Sequence, residues 1–151
     1  MKNDFILEDF LPFRLNRLAA EVSERLAAIY AEQFNLDIPK WRVLATLSNQ
    51  GETTAQDIVI STRTHKSTIS RAVHQLEARG LVERTVSGTD RRANALGLTA
   101  AGKRLFSQLQ PTVLAYEDAL LMQLSAPDAK ALARGLAALE ATLNLGKGNK
   151  S

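Results

Sequence analysis

Residues 65–86 read HKSTISRAVHQLEARGLVERTV, and their hydrophobic pattern is the clearest structural signal in the chain. Ile69, Val73 and Leu76 recur at steps of three and four residues. This spacing places the three side chains on one side of a helix, because an α-helix turns once in about 3.6 residues. The pattern therefore predicts a helix from about His65 to Arg79, here called the reading helix, with one apolar side and one polar side.

The pattern changes directly after the reading helix. Gly80 stands where a helix often ends in a left-handed residue. From Leu81 to Val86 apolar and polar residues alternate, which is typical of a strand. Ser87–Asp90 has the composition of a turn, and Ala93–Leu98 can form the returning strand. The sequence thus predicts a β-hairpin immediately after the helix.

A second, shorter helix is predicted just before the reading helix. Thr54 and Asp57 have the spacing of a capping box, with Thr54 as the N-cap. Ile58 and Val59 supply the apolar contacts of this helix, and Ser61–Arg63 is interpreted as a polar turn. Helix, turn, helix and hairpin in this order predict a winged helix-turn-helix, in which the hairpin is the wing.

Longer helices are predicted on both sides of this segment. One runs from about Glu8 to Phe34, and another begins at Pro39 and ends at Gly51. A third runs from Ala100, capped by Thr99, to about Leu124, and Pro111 is expected to kink it. The last begins at the capping box 125–128. The apolar stripes of the first and last helices consist of Leu11, Leu15, Leu18, Val22, Leu26 and Ile29, and of Leu132, Leu136, Leu139 and Leu143.

The fold class that follows is mainly α with a small β-hairpin wing, in which a winged helix-turn-helix at residues 53–99 is flanked by long helices. With 151 residues, the chain has the length of one well-cored domain. It contains no run of about 18–20 apolar residues. Its start does not resemble a signal peptide, so we expect a cytoplasmic protein without a membrane partner.

Positive charge is concentrated in the winged segment. Residues 62–92 hold seven basic side chains and three acidic ones, a local charge of +4, whereas the whole chain carries +3. A local excess of this kind fits a surface for a polyanion. Charge alone does not separate that surface from an ordinary solvated face.

The polar side of the reading helix is chemically suited to DNA. A helix that enters the major groove needs one side for the domain core and another that presents donors and acceptors to base edges. Arg71 is long enough to make a paired contact with a guanine edge, and Asp90 at the tip of the wing can orient a neighbouring arginine. The predicted DNA-binding residues are Thr62, Arg63, Lys66, Ser67, Thr68, Arg71, Gln75, Arg91 and Arg92.

Several kinds of chemistry are disfavoured by the composition. The chain has no cysteine, which removes disulfides, thiolate zinc sites, cysteine nucleophiles and thiol-based sensors. Its two histidines, His65 and His74, are too few for a histidine metal cluster. We find no glycine-rich phosphate loop either. We therefore expect no enzyme activity, no metal and no cofactor.

Five segments together resemble the MarR family of bacterial transcription regulators. The resemblance covers about Leu11 to Leu143, and its combined pattern is more specific than any one of its parts. The segments are WRVL at 41–44, KSTISRAV at 66–73, LEARGLVER at 76–84, DRR at 90–92 and LTAAG at 98–102. One residue departs from the family's pattern, since His65 stands where Asp is frequent.

The resemblance implies one MarR-type domain, 1–151, that forms a homodimer. Residues 39–99 would be the DNA-binding lobe, and 5–36 and 100–145 the dimerisation helices. Ser67, Thr68 and Arg71 would lie in the major groove of double-stranded DNA and the wing arginines in the minor groove. Family members usually repress genes from a pseudo-palindromic operator and release it when a small, often aromatic or phenolic, molecule binds. The departure at His65 leaves a pH-sensitive or a phosphate-facing role open at this position.

The effector is the least defined part of the sequence. Phe13, Arg14 and Arg17 on the first helix and Trp41 on the second are candidates, because arginine beside an aromatic surface suits an aromatic carboxylate or an acyl-CoA. The alternative is that these residues serve the core, salt bridges or DNA phosphates. Two other functions also stay open: a ligand-independent regulator, and a winged helix that binds a protein, because a fold does not determine a function.

Overall fold

The computed structural model describes residues 4–85 and 94–146. Contacts divide the chain into two compact units, 1–113 and 114–151. A short 3₁₀ helix at Leu7–Asp9 precedes the regular elements. These elements are α1 (Leu11–Phe34), α2 (Ile38–Gln50), β1 (Thr53–Thr54), α3 (Ala55–Thr62), α4 (Lys66–Ala78), β2 (Val82–Thr85), β3 (Ala95–Leu98), α5 (Ala100–Met122) and α6 (Ala126–Thr142). The predicted fold class is confirmed: α4 is the reading helix, and β2 and β3 are the strands of the wing.

The helix starts that capping residues predicted are found in the structure. The hydroxyl of Thr54 accepts a hydrogen bond from the backbone N–H of Asp57 at 3.1 Å, at the start of α3. Ser125 does the same for Asp128 at 3.2 Å, at the start of α6. These bonds satisfy backbone donors that have no partner within the helix. Thr99 caps α5 by accepting from Gly102 at 3.0 Å.

The helix ends follow from backbone conformation. Asn35 ends α1 with φ 53°, and Gly80 follows α4 with φ 70°, both in the left-handed region. Gly51 ends α2 with φ 76°. Glycine and asparagine adopt this region at low cost, which is why these positions could be predicted. Pro12 lies in the first turn of α1, where its missing N–H costs no hydrogen bond.

The predicted hairpin is part of a three-stranded antiparallel sheet. β2 pairs with β3 from Val82↔Leu98 to Thr85↔Ala95, and β1 pairs with the other edge of β3 through Thr53↔Leu96. The two-residue strand β1 was not predicted, because two residues carry no alternating pattern. The predicted turn 87–90 lies outside the described residues, as do Val86 and Ala93 at the inner ends of the predicted strands.

Three predicted boundaries were wrong. Ser61 and Thr62 form the last turn of α3 instead of a separate turn, and both hydroxyls donate to the carbonyl of Ile58. The first α-helix begins at Leu11, after the 3₁₀ turn. Helix α5 passes Pro111 without a break and ends at Met122. A kink at this proline stays a prediction.

The core of the first unit holds α4 in place. Ile69, Val73 and Leu76 are at most 1% exposed, as the three-and-four-residue spacing predicted. Ala72 completes this side of the helix. They join a cluster with Val43, Leu44 and Leu47 of α2, Ile58 of α3, Leu96 of β3 and Leu109 of α5. The opposite side of α4 is left at the surface. In the part of the chain that the structure describes, no helix is long and apolar enough to cross a membrane.

Candidate nucleic-acid interface

The outer face of α4 consists of the residues of this helix that are exposed. They recur with the helical period and lie opposite the buried side. None of them is acidic, and two carry a positive charge. The residues of this face are Lys66, Ser67, Ser70, Arg71, His74, Gln75 and Ala78. It is a polar surface one helix wide, with donors and acceptors that match base edges and phosphates. Thr68 is half-buried at its border.

The turn between α3 and α4 is fixed by hydrogen bonds. Arg63 adopts the left-handed conformation with φ 54° and is exposed. The hydroxyl of Thr64 donates to the carbonyl of Thr62 at 3.3 Å and accepts from Nη1 of Arg42 at 3.1 Å. Arg42 on α2 thus connects the core to the turn that sets the direction of α4. The hydroxyl of Thr62 donates to Ile58 at 2.7 Å, so its proton is already used within α3.

The first turn of α4 is capped by a histidine. Nδ1 of His65 accepts a hydrogen bond from the backbone N–H of Ser67 at 3.2 Å, and the hydroxyl oxygen of Ser67 lies 2.7 Å from the same nitrogen. Histidine was not predicted in this role, because Ser, Thr, Asp and Asn are the usual N-caps. Asp is a usual N-cap and is frequent at this position in the family that the chain resembles. This could have indicated that residue 65 caps the helix.

Two of the seven basic residues in the charged segment serve the fold. Arg79 donates to the carbonyls of Asn35 at 2.8 Å and Phe34 at 3.0 Å, which satisfies the end of α1. Nη2 of Arg84 on β2 lies 3.1 Å from Oε1 of Glu77 on α4. This is an ion pair without hydrogen-bond geometry, and it connects the helix to the wing.

The other described basic residues of this segment point to solvent. Arg63, Lys66 and Arg71 are exposed, and none has a carboxylate within 4.0 Å among residues 4–85 and 94–146. Exposed cations without a protein partner can bind a polyanion without first breaking an ion pair. The predicted wing residues Asp90, Arg91 and Arg92 lie outside the described residues.

Three of the four predicted effector residues lie together on α1. Phe13, Arg14 and Arg17 line a groove of about 450 Å³, together with Glu8, Leu18 and Glu21. The guanidinium carbon of Arg17 lies 5.9 Å from the centre of the Phe13 ring, within the range of a cation–π contact. The groove therefore combines an aromatic surface with two guanidinium groups and two carboxylates.

Trp41 does not line this groove. Its ring stacks against Tyr30 at 5.7 Å between centres and against Phe106 at 5.9 Å. These stacked rings join α1, α2 and α5 in the core. Burial raises the pKa of Tyr30 to about 12, while the positive charge of Arg42 acts in the opposite direction. Because its ring stacks against two other aromatic rings beside the core, Trp41 serves the core.

Sequence and structure comparisons show that the chain is similar to transcription regulators. The family model described as MarR family matches residues 34–93. The HTH-type transcriptional repressor IacR of Pseudomonas putida is 28% identical over 108 residues, which are 72% of this chain and 64% of that protein. The chain thus matches slightly less than two thirds of that relative's length.

Solved structures have the same fold. The MarR family transcriptional regulator SPO1453 of Silicibacter pomeroyi is 29% identical, with a TM-score of 0.80 over 93% of this chain and 99% of that one. The MarR family protein RV2887 of Mycobacterium tuberculosis, solved in complex with p-aminosalicylic acid, is 24% identical. Its TM-score is 0.71 over 86% of this chain and 98% of that one, and this likeness shows the fold.

Proposed function

The chain belongs to the MarR family of DNA-binding transcriptional regulators, and on that basis we propose that it is a cytoplasmic homodimeric repressor of a pseudo-palindromic operator. The observation that carries the proposal is the outer face of α4, which is polar, basic and free of acidic residues. A protein-binding winged helix usually has an apolar or acidic surface here, whereas this helix presents a polar and basic one.

Different residues of the interface contact different parts of the DNA. Arg71, near the middle of the outer face, makes a paired contact with a guanine edge. Ser67 and Gln75 also reach base edges, and Thr68 contacts the groove from the border of this face. Phosphates are bound by Arg63 and Lys66 around the first turn of α4, and Thr62 lies beside them with its hydroxyl proton donated to Ile58. The wing places Arg91 and Arg92 in the minor groove, and Asp90 orients one of them.

Dimerisation is proposed from apolar residues at the surface of α1 and of α6. On α1, Leu11, Leu15 and Leu18 are between 37% and 58% exposed. On α6, Leu132 and Leu136 are 44% and 43% exposed. Leucines repeated at helical spacing on an exposed side are typical of a surface that a partner covers. A dimer also supplies two reading helices for two half-sites about 34–36 Å apart.

An aromatic acid, a phenol or an acyl-CoA is the proposed effector class, and its site is the groove at Phe13, Arg14 and Arg17. Arginine binds a carboxylate or phosphate through two parallel hydrogen bonds, and Phe13 offers a ring to stack on. A protein of the same fold has been solved with p-aminosalicylic acid, which supports this class. Such a ligand releases DNA only if it binds the DNA-free arrangement more tightly.

Selection of duplex DNA from a random pool tests the main proposal. The full chain should enrich an inverted repeat with half-sites about one helical turn apart. Replacing Arg71 by Ala should weaken binding to that operator roughly 5- to 150-fold for each half-site, which corresponds to about 1–3 kcal/mol per subunit. Arg104→Ala is the matched control, because Arg104 is an exposed arginine on α5.

The possible outcomes separate the parts of the proposal. Failure to enrich any sequence would contradict operator recognition. Equal losses for the Arg71 and Arg104 variants would show that α4 does not read the site. Light scattering should give twice the 16.5 kDa mass of one chain, and a monomer at micromolar concentration would contradict the dimer.

A further inference from the structure

The hydrogen bonds at the start of α4 determine where two protons lie. A backbone N–H can only donate, so the Nδ1 atom of His65 that accepts from Ser67 must carry a lone pair. The neutral imidazole then has its proton on Nε2. The same Nδ1 lies 2.7 Å from the hydroxyl oxygen of Ser67, a distance typical of a hydrogen bond. Since Nδ1 has no proton, the hydroxyl of Ser67 is the donor.

A serine hydroxyl has one proton to donate. When that proton points to His65, the oxygen of Ser67 offers only lone pairs to any other group. Ser67 is exposed on the outer face of α4, one residue inside the helix start. Thr68 provides a contrast, because no hydrogen bond engages its hydroxyl among the described residues. The two neighbouring hydroxyls therefore differ in what they can offer to DNA.

We infer that His65 is a positioning residue that makes Ser67 a hydrogen-bond acceptor, so that α4 selects an exocyclic amino group at the base opposite Ser67. In the major groove only adenine, through N6, and cytosine, through N4, present a donor. Guanine and thymine present acceptors there, as do phosphate oxygens. Ser67 thus favours adenine or cytosine over guanine or thymine and does not bind the backbone. This inference rests on the proposed function.

The contacted position can be found with the selected operator. Each base pair of a half-site is changed in turn, and binding is compared between the parent chain and Ser67→Ala. The position at which this variant loses discrimination is the one that Ser67 reads, and its base should be adenine or cytosine. If Ser67→Ala changes discrimination at no position, or only at a guanine or thymine, the inference is wrong.

Base analogues then test the role of His65. At the contacted position, adenine is replaced by purine, which lacks the N6 amino group, or cytosine by 2-pyrimidinone, which lacks the N4 amino group. The parent chain should bind the analogue roughly fivefold more weakly, as expected for one hydrogen bond. His65→Ala should bring this ratio close to one, because the hydroxyl of Ser67 is then free to rotate.

Asparagine at the same position is the matched variant. Its side-chain oxygen can cap the helix and accept from Ser67, so His65→Asn should keep most of the fivefold ratio. A purely structural effect would weaken binding to the parent operator and to the analogue equally and leave their ratio unchanged. Circular dichroism confirms that each variant is folded.

The results also distinguish this inference from the proposed function. An operator that the parent chain binds, with the same analogue penalty in His65→Ala, overturns the role of His65 alone. The absence of any selected operator overturns the proposed function. An analogue penalty that is lost in both the Ala and the Asn variants contradicts the acceptor mechanism, because asparagine supplies the same acceptor.

Discussion

Replacing Gly102 by Ala should destabilise the first unit, although alanine is the better helix former. Gly102 is buried in the first turn of α5. A methyl group at this position would overlap the carbonyl oxygen of Leu81 and lie 3.1 Å from its carbonyl carbon and 3.3 Å from Cδ2 of Leu98. The overlapping atoms belong to the backbone and cannot rotate away. The carbonyl of Leu81 also accepts a hydrogen bond from Thr99 at 3.1 Å.

Three energy contributions decide whether Gly102→Ala raises or lowers the free energy of unfolding. Alanine gains about 1 kcal/mol over glycine in a helix interior. An extra methyl group in a packed site costs about 1–3 kcal/mol, and a backbone overlap belongs to the upper end of that range. Displacement of Leu81 would also weaken its bond to Thr99, which is worth about 1 kcal/mol. We expect a net loss of about 2–3 kcal/mol in the free energy of unfolding.

Urea titration and thermal melting at one fixed protein concentration measure the effect. For a chain of this length, a loss of 2–3 kcal/mol corresponds to a melting temperature roughly 5–10 °C lower. Gly135→Ala in α6 is the control, because an added methyl group there meets no described atom within 4 Å beyond the adjoining backbone of its own helix. That variant should be unchanged or more stable by up to about 1 kcal/mol. If both variants were stabilised equally, the close packing of α5 on Leu81 would be refuted.

Two further predictions concern stability. Because the pKa of Tyr30 is raised to about 12, the native state holds this proton more tightly than the unfolded chain, so stability is fully present below about pH 10 and is lost as the pH rises toward 12. Urea titrations between pH 8 and 11 should show less of this loss in Tyr30→Phe, and identical pH profiles would contradict the assignment. Arg79→Ala should cost about 1–2 kcal/mol, because the carbonyls of Phe34 and Asn35 lose their donors, and Arg79→Lys should recover only part of it. Full stability in the alanine variant would show that these bonds are not needed.

The parts of the fold that could be predicted depend on local signals. The spacing of Ile69, Val73 and Leu76 indicated which side of α4 is buried, because a helix repeats its direction within a few residues. Thr54 and Gly80 marked a helix start and a helix end through their own backbone and side-chain chemistry. Such signals need no knowledge of distant residues, so one sequence was sufficient.

The parts that could not be predicted depend on distant partners. The contact of Arg42 with Thr64 spans 22 residues, and that of Arg79 with Asn35 spans 44. Strand β1 exists only because β3 lies beside it. The sequence makes Trp41 a candidate ligand contact, whereas in the structure its ring stacks against Phe106, which is far along the chain. In each case the role of a residue is determined by a neighbour in space that its local sequence does not reveal.

The distant partners of Arg79 and Arg84 also change the expected salt dependence of DNA binding. The charged segment holds seven basic residues, but Arg79 and Arg84 are used within the fold, which leaves at most five in each subunit that can neutralise DNA charge. The logarithm of the binding constant falls with the logarithm of salt concentration by about 0.9 per neutralised phosphate. If a dimer used all seven basic residues of the segment in each subunit, the slope of this logarithmic plot would be about −13. With five per subunit, the slope would be no steeper than about −9.

Single substitutions show which arginines bind DNA and which are used within the fold. Arg63→Ala removes one free cation from each subunit and should make the slope shallower by about 2. Arg84→Ala removes an arginine of the same charge that is paired with Glu77, so the slope should stay the same even if the wing is less firmly held. A change of about 2 in the slope for Arg84→Ala would mean that this arginine leaves Glu77 for DNA. The ion pair between α4 and the wing would then be a contact of the free protein only.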